Sequence, residues 1–402
     1  TVHARRRGRG AIMGFIQWFN VWWSLGYVLF TATASTLMLL VPAIILFRPI
    51  SKSLYARCTS WIFALWWTSC LFITERLNRV GVRVTGDALP LNTPLLIMSN
   101  HKCNLDWMFL WSCAIRTGHI FQVGVFRAVA KSGIRVIPIF GWGCKLNGFA
   151  YIRRKWGEDR EHMVKWVRNQ FKRNALGWVV IFPEGTRYTD ANKKRSNESC
   201  ERDGIYVQSL AGEILRPKTK GLSLLLQENK KQIIKEREGV HTRPNSTTPP
   251  PRTSFAKIVD MTIQYVDKND APVKGSALGT RCFGQLAKGT LPVSKCHVHF
   301  DLFDPNDVPV DDEKVNEWVL GRWKKKADRL RQCAEHGEFR EKEWKSSGGQ
   351  VPFVLQTALR VFFILQGLLC VWLLVHVPLF TAYAAIAFGG LAVMCQQDPA
   401  DW

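Results

Sequence analysis

The sequence predicts an α/β fold, a mixed sheet with surrounding helices, flanked by hydrophobic membrane helices at both ends. Three observations lead there. Long uncharged apolar runs sit at the two ends of the 402-residue chain. Between them a polar block, roughly Glu75 to Gln350, alternates short apolar runs with amphipathic stretches in the βα manner. Residues capable of chemistry stand directly after those runs, where open α/β sheets keep their ligands.

The ends come first. Residues 1–12 form a basic tail with Arg5, Arg6, Arg7 and Arg9 that opens on Thr1 rather than Met; a fragment, an upstream start or a cloning remnant would each explain it. From Ala11 to Phe47, 37 residues carry no Asp, Glu, Lys or Arg, and a helix crosses a bilayer core with about 20. One long span or a tight hairpin fits. Cys58 to Thr74 is uncharged but short for a span, and Trp61, Trp66 and Trp67 suit the membrane interface. Residues 13–74 are therefore the N-terminal membrane segments. At the other end, within residues 351–395, Val361 to Cys395 is again uncharged; two passes broken near Pro378 or one tilted helix would serve.

The polar block divides into a catalytic domain at 75–238, a flexible insertion at 239–254 and a second part of the α/β body at 255–350. Strands are predicted at 94–98, 178–182 and 258–266, the last alternating faces around Asp260, Thr262 and Gln264. Met163, Val164, Val167 and Phe171 make a helical stripe. Asp311, Asp312 and Glu313 open a helix that carries Val315, Trp318, Val319 and Trp323 on one face and Lys324 to Lys326 further on, as the helix dipole favours. Three prolines at 249–251 among Ser and Thr mark the insertion. The sequons at Asn197 and Asn245 have no meaning on a cytosolic face.

Lys plus Arg outnumber Asp plus Glu 55 to 32, a net charge of +23, yet 47% of residues are hydrophobic and 17 are Trp. Such a chain is not a disordered basic tail protein. No basic–aromatic RNA motif or zinc finger is present, so anionic lipid is a better partner for the charge than nucleic acid. Basic residues flank the apolar runs at Arg48, Lys52 and Arg57, at Arg76, Arg79 and Arg83, and from Arg322 to Lys345. The positive-inside rule puts them on the cytosolic side with the polar block, which requires Cys58 to Thr74 to dip into the interface rather than cross. Eleven scattered cysteines without a CxxC spacing indicate neither a disulfide framework nor a Cys-rich zinc site.

Four blocks carry chemistry. After the first strand comes Ser99-Asn100-His101-Lys102-Cys103-Asn104-Leu105-Asp106-Trp107. A His at a strand end, with a carboxylate five residues on at a helix start, makes a general base for an alcohol, the Asp fixing the tautomer and stabilising the imidazolium. Gly148-Phe149-Ala150-Tyr151-Ile152-Arg153-Arg154 supplies two guanidiniums of the kind that fork phosphate. Pro183-Glu184-Gly185-Thr186-Arg187 follows the second strand: Glu184 is placed to accept from a hydroxyl, Gly185 to admit close approach and Arg187 to meet a phosphate. Leu215-Arg216-Pro217-Lys218-Thr219-Lys220-Gly221 adds a rigid basic turn. Separately each has a plain structural explanation. His297 and His299 point the same way on a strand, but without a third ligand they read as sheet residues, not a metal site.

In this order and spacing, the blocks resemble the glycerolipid acyltransferase family, which includes lysophosphatidic acid acyltransferases. His101 and Asp106 match its Asn-His-x4-Asp block, Gly148, Tyr151, Ile152 and Arg154 its second, Phe182 to Arg187 its Phe-Pro-Glu-Gly-Thr-Arg block, and Pro217 the proline of its fourth. The likeness is strong over about Leu95 to Gly221. Weaker likeness to about Arg331 points to the eukaryotic subgroup that holds lysocardiolipin acyltransferase and endoplasmic reticulum lysophosphatidate enzymes. Asp106 to Trp111 is most similar to the lysocardiolipin branch, but Arg187 stands where that branch has an acidic residue. A guanidinium there favours a phosphomonoester head group.

The resemblance implies the glycerolipid acyltransferase fold and an acyl-CoA-dependent enzyme that makes phosphatidic acid from lysophosphatidic acid, with another lysophospholipid as the alternative acceptor. It makes His101 and Asp106 catalytic and assigns substrate binding to Arg154, Glu184, Gly185, Thr186, Arg187, Pro217 and Lys220. Acyl-CoA is a co-substrate, and no cofactor or metal is expected. The implied location is the endoplasmic reticulum or another endomembrane, with the catalytic domain facing the cytosol. A membrane phosphatase would need a second catalytic His or a Ser elbow, and neither is evident.

Overall fold

Leu95 to Ser99 is apolar at four of five positions, which suits a strand covered on both faces and paired on both edges. The computed structural model describes residues 2–91, 93–116, 124–172, 177–206, 210, 214–241, 253–279, 281–340 and 352–396, and in it this segment is the middle strand of seven. The strands are β1 (Gly81–Gly86), β2 (Leu95–Ser99), β3 (Arg127–Lys131), β4 (Ala150–Ile152), β5 (Trp178–Ile181), β6 (Lys257–Val266) and β7 (Lys295–Phe303). Their order is β1-β7-β6-β2-β5-β3-β4. The five from β6 to β4 run parallel; β7 runs antiparallel to β6 and carries β1 with it. Residues after 255 therefore hold the middle of the sheet rather than an appendage.

Thirteen α-helices are described: α1 (Val2–Ser35), α2 (Val41–Phe47), α3 (Lys52–Cys70), α4 (Asp106–Arg116), α5 (Phe140–Leu146), α6 (Trp156–Lys172), α7 (Asp190–Arg202), α8 (Lys220–His241), α9 (Gly275–Leu278), α10 (Cys282–Lys288), α11 (Asp312–His336), α12 (Phe353–His376) and α13 (Pro378–Gln396). α6, α8 and α11 cover one face of the sheet. The predicted stripe Met163, Val167 and Phe171 is buried there with Leu222, Leu225, Val319 and Trp323, while Val164 is partly buried. Asp311 caps α11, accepting from the Glu313 and Lys314 amides, and Gly337 at φ 78° ends it. Every residue of β6 from Ile258 to Val266 is buried. Its polar face is thus not a solvent face: α11 covers it, Arg322 and Lys326 pairing with Asp260 and Arg329 with Thr262.

On the other face α4 packs beneath the apolar ends. The long N-terminal run is one continuous helical rod rather than a hairpin: α1 passes through a π-helical turn, Thr36–Leu40, into α2. The tail, from residue 2, continues the same helix. The C-terminal run breaks at Val377, just before Pro378, into α12 and α13. Ile12–Phe47, Phe353–His376 and Pro378–Cys395 are each long and apolar enough to cross a membrane. α3 is not among them; it packs on α12 and α2, and its Trp67 lies on Trp107 and Trp111 of α4, centroids 5.7 and 4.0 Å away, so it joins the apolar helices to the sheet's own layers. Glu75 accepts from Ser112 of α4 at 2.7 Å and from Gln356 of α12 at 3.1 Å, tying α4 to one of the long apolar helices. Of the insertion, residues 239–241 continue α8, Thr253 and Ser254 bond Glu236, and 242–252 lie outside the described residues.

Candidate active site

β2 ends at Ser99, yet Asn100 extends its pairing. The Asn100 amide accepts from Ile263 N–H at 2.9 Å and donates to Ile263 C=O at 3.0 Å, so a side chain takes the place of backbone against β6. The chain can then turn out of the sheet, and the turn carries His101. Asp106 opens α4 and receives the loop. Its Oδ2 accepts from Lys102 N–H at 2.8 Å and lies 2.7 Å from His101 Nδ1; its Oδ1 accepts from Cys103 N–H at 3.1 Å and from the Tyr265 hydroxyl at 2.5 Å. The carboxylate is fully buried, and the His101 side chain is 19% exposed. Phe182 stacks on the imidazole with centroids 4.3 Å apart. No hydrogen bond occupies His101 Nε2 among the described residues, so that nitrogen is left to accept a proton.

The turn after β5 lies beside this loop, joined by Tyr188 N–H to His101 C=O at 2.8 Å. Gly185 sits at φ 68°, a left-handed conformation that disfavours side chains. A Cβ there would meet only Lys218 at 3.5 Å, so the backbone angle, more than lack of space, requires glycine. Thr186 Oγ1 and the Arg187 carbonyl both accept from Asn192, which steadies the turn on α7. Arg187 reaches Asn104 Oδ1 at 3.4 Å, and its Nε is buried without a partner. Glu184 is buried with no hydrogen bond of good geometry. Burial pushes its carboxyl up to about 8, against the pull of the Leu215 and His101 backbone and of Lys102, so it is largely protonated at pH 7.

Other predicted residues stand further out. Arg154 follows β4, at φ 67° and exposed; β4 is three strands from β2, roughly 14 Å at the usual spacing. Pro217 is buried, and Lys220 is exposed at the first position of α8. The lysine of that turn next to the Gly185 loop is Lys218, whose amide donates to Pro183 C=O at 2.7 Å. Sequence reasoning chose Lys220 over Lys218 and passed over Tyr265, Asn104 and the buried Lys102. Only Lys218 had a local signal, the proline that fixes its turn. His299 bonds Thr85 and Asp301, and His297 is buried; no group of three or more metal-binding side chains occurs among the described residues.

A histidine held by a buried carboxylate, beside a turn that presents a guanidinium, can deprotonate a hydroxyl near an anionic group. The acyltransferase family model matches residues 81–263. A probable 1-acyl-sn-glycerol-3-phosphate acyltransferase 5 of Arabidopsis thaliana is 28% identical over 287 residues, covering 70% of this chain and 65% of that protein. Mouse lysocardiolipin acyltransferase 1 is 28% identical over 282 residues, with the same coverages, 70% and 65%. The match thus spans less than two thirds of these relatives. The crystal structure of the Thermotoga maritima 1-acyl-sn-glycerophosphate (LPA) acyltransferase, PlsC, aligns over 79% of this chain and 98% of that one at 15% identity and a TM-score of 0.40. Residues 81–263 thus carry the pattern of the acyltransferase family, and the relatives matched over about 70% of the chain are glycerolipid acyltransferases by name.

Proposed function

We propose that the protein is a membrane-bound, acyl-CoA-dependent acyltransferase that esterifies the sn-2 hydroxyl of lysophosphatidic acid to give phosphatidic acid. The observation that carries this is the His101–Asp106 pair, 2.7 Å apart and directly beside the Arg187 turn. His101 Nε2 takes the hydroxyl proton as the oxygen attacks the thioester carbonyl; the C–S bond breaks, and the CoA thiolate leaves with that proton. Asp106 holds the imidazole and balances its charge. Arg187, with Lys218 beside it and Arg154 and Lys220 further out, attracts the phosphate, while Glu184, Gly185, Thr186 and Pro217 shape the glycerol end. The apolar helices keep the site at an endomembrane such as the endoplasmic reticulum, facing the cytosolic acyl-CoA pool. A lysocardiolipin or lysophosphatidyl-polyol acceptor is the second reading, favoured by the Asp106 to Trp111 stretch; Arg187 favours the phosphomonoester.

The test adds acyl-CoA and a panel of lysolipids to vesicles that hold the purified chain. Thiol release dependent on lysophosphatidate is expected. Release with lysocardiolipin but not lysophosphatidate would move the assignment to the second reading, and release of inorganic phosphate would replace it with a phosphatase.

A further inference from the structure

Asp106 divides its two oxygens. Oδ2 meets His101 and the Lys102 amide, whereas Oδ1 takes the Tyr265 hydroxyl at 2.5 Å, the shortest of the bonds around it. Tyr265 lies near the end of β6, 159 residues after Asp106 in the chain and just beyond the span of the family model. It is fully buried, its ring packed on Phe109 of α4 with centroids 5.1 Å apart. Burial and the Asp106 charge push the phenol well above its ordinary range, so the hydroxyl keeps its proton and is the donor. The charged and titratable groups around Asp106 include His101, Lys102, Cys103, Cys282, Glu184 and Tyr265; those around Tyr265 include Asp106, Cys103 and Cys296. His101 and the buried Lys102 are the cations among them.

We propose that Tyr265 is a positioning residue of the acyl transfer: its hydroxyl orients the Asp106 carboxylate toward His101 and withdraws part of the negative charge that His101 feels. The inference rests on the His101–Asp106 reading above. A phenol that donates to the carboxylate competes with the imidazole for its electrons. Without it, Asp106 holds the imidazolium more strongly and less squarely, and the base is both slower and titrated at higher pH.

Tyr265→Phe removes the hydroxyl and keeps the ring. In vesicles holding the full chain, kcat for thiol release should fall roughly 10-fold or more, the size expected for one hydrogen bond to a charged group. Both KM values should hold, and the acid limb of the pH–kcat profile should move to higher pH. In an Asp106→Asn background the same substitution should change the residual rate less than about twofold, the mark of two residues acting as one unit. A fall in melting temperature with an unchanged kcat and pH profile would overturn the proposal and leave Tyr265 a packing residue; so would an equal loss in the Asp106→Asn background. The ring resonance of His101, identified by its loss in His101→Ala, should also titrate at higher pH in the variant. That shift is read without turnover, so a wild type inactive on every lysolipid would count against the acyltransferase reading and not against Tyr265.

Discussion

Two histidine–aspartate pairs sit on this sheet and do opposite work. His101 gives Nδ1 to Asp106 and leaves Nε2 free, with the side chain 19% exposed; His299 spends Nδ1 on Thr85 at 2.9 Å and Nε2 on Asp301 at 3.0 Å, with the side chain 3% exposed. The carboxylates differ as well. Besides His101, Asp106 accepts hydrogen bonds from amides, a thiol and a phenol, none of them charged. Burial pushes the Asp301 carboxyl up, but the His299 hydrogen bond and then the guanidiniums of Arg329 and Arg322 draw it far below the usual range, so its charge is spent on structure. In the proposed mechanism the same two residue types make a base in one place, and in the other they make a brace. A free nitrogen and an unspent negative charge separate them.

The sharpest way to break this contrast is to exchange the consequences. His101→Ala should cut kcat by at least about 1,000-fold, within the range general-base loss produces, while the melting temperature stays near that of the wild type. His299→Ala should do the reverse, with thiol release within a few fold and a loss of about 1–3 kcal/mol in denaturant titration. If His299→Ala silenced turnover at unchanged stability, the brace assignment would be wrong.

Next in size is the ion cluster behind His299. Asp260→Ala leaves Lys326 and Arg322 buried without their shared carboxylate, so unfolding should ease by about 3–5 kcal/mol. Arg187→Ala, on the catalytic side, should raise the lysophosphatidate KM roughly 10-fold or more with little change in kcat. A rise confined to the acyl-CoA KM would contradict the phosphate role. The smallest effect is in pH. His297 is pushed down to about 4, first by burial and then by Arg83 and Lys295. The unfolded chain takes that proton near 6.5, so stability falls as pH drops from about 6.5 toward 4. Between pH 7 and 5.5 the loss should be about 1 kcal/mol, and His297→Leu should flatten it.

What could be read from the sequence was local. β2 and β5 declare themselves as short apolar runs and β6 by its alternation, and His101 and Asp106 lie five residues apart, so both the strands and the pair were legible. β3, Arg127–Lys131, has two charged residues in five and no clean alternation, and β4 has only three residues. The sheet edge they form was not legible. Nor was the fate of the polar face of β6, because alternation cannot distinguish water from the cations of a helix that comes 60 residues later. Tyr265 shows the same limit most plainly. Nothing near it in the chain marks it, and its role exists only through an aspartate 159 residues earlier.

The bond from Asn100 to Ile263 gives the site a schedule. Its partners are 163 residues apart, and ribosomes add about 5–20 residues per second, so His101 waits roughly 8–33 seconds during synthesis before the strand that anchors its turn has been made. Through that interval β2 lacks β6, and for about the first half of it β5 as well, so its apolar residues are open to wrong pairing. Strand β6 is thus both the last clamp of the dyad and the point before which a nascent chain of this protein cannot be active.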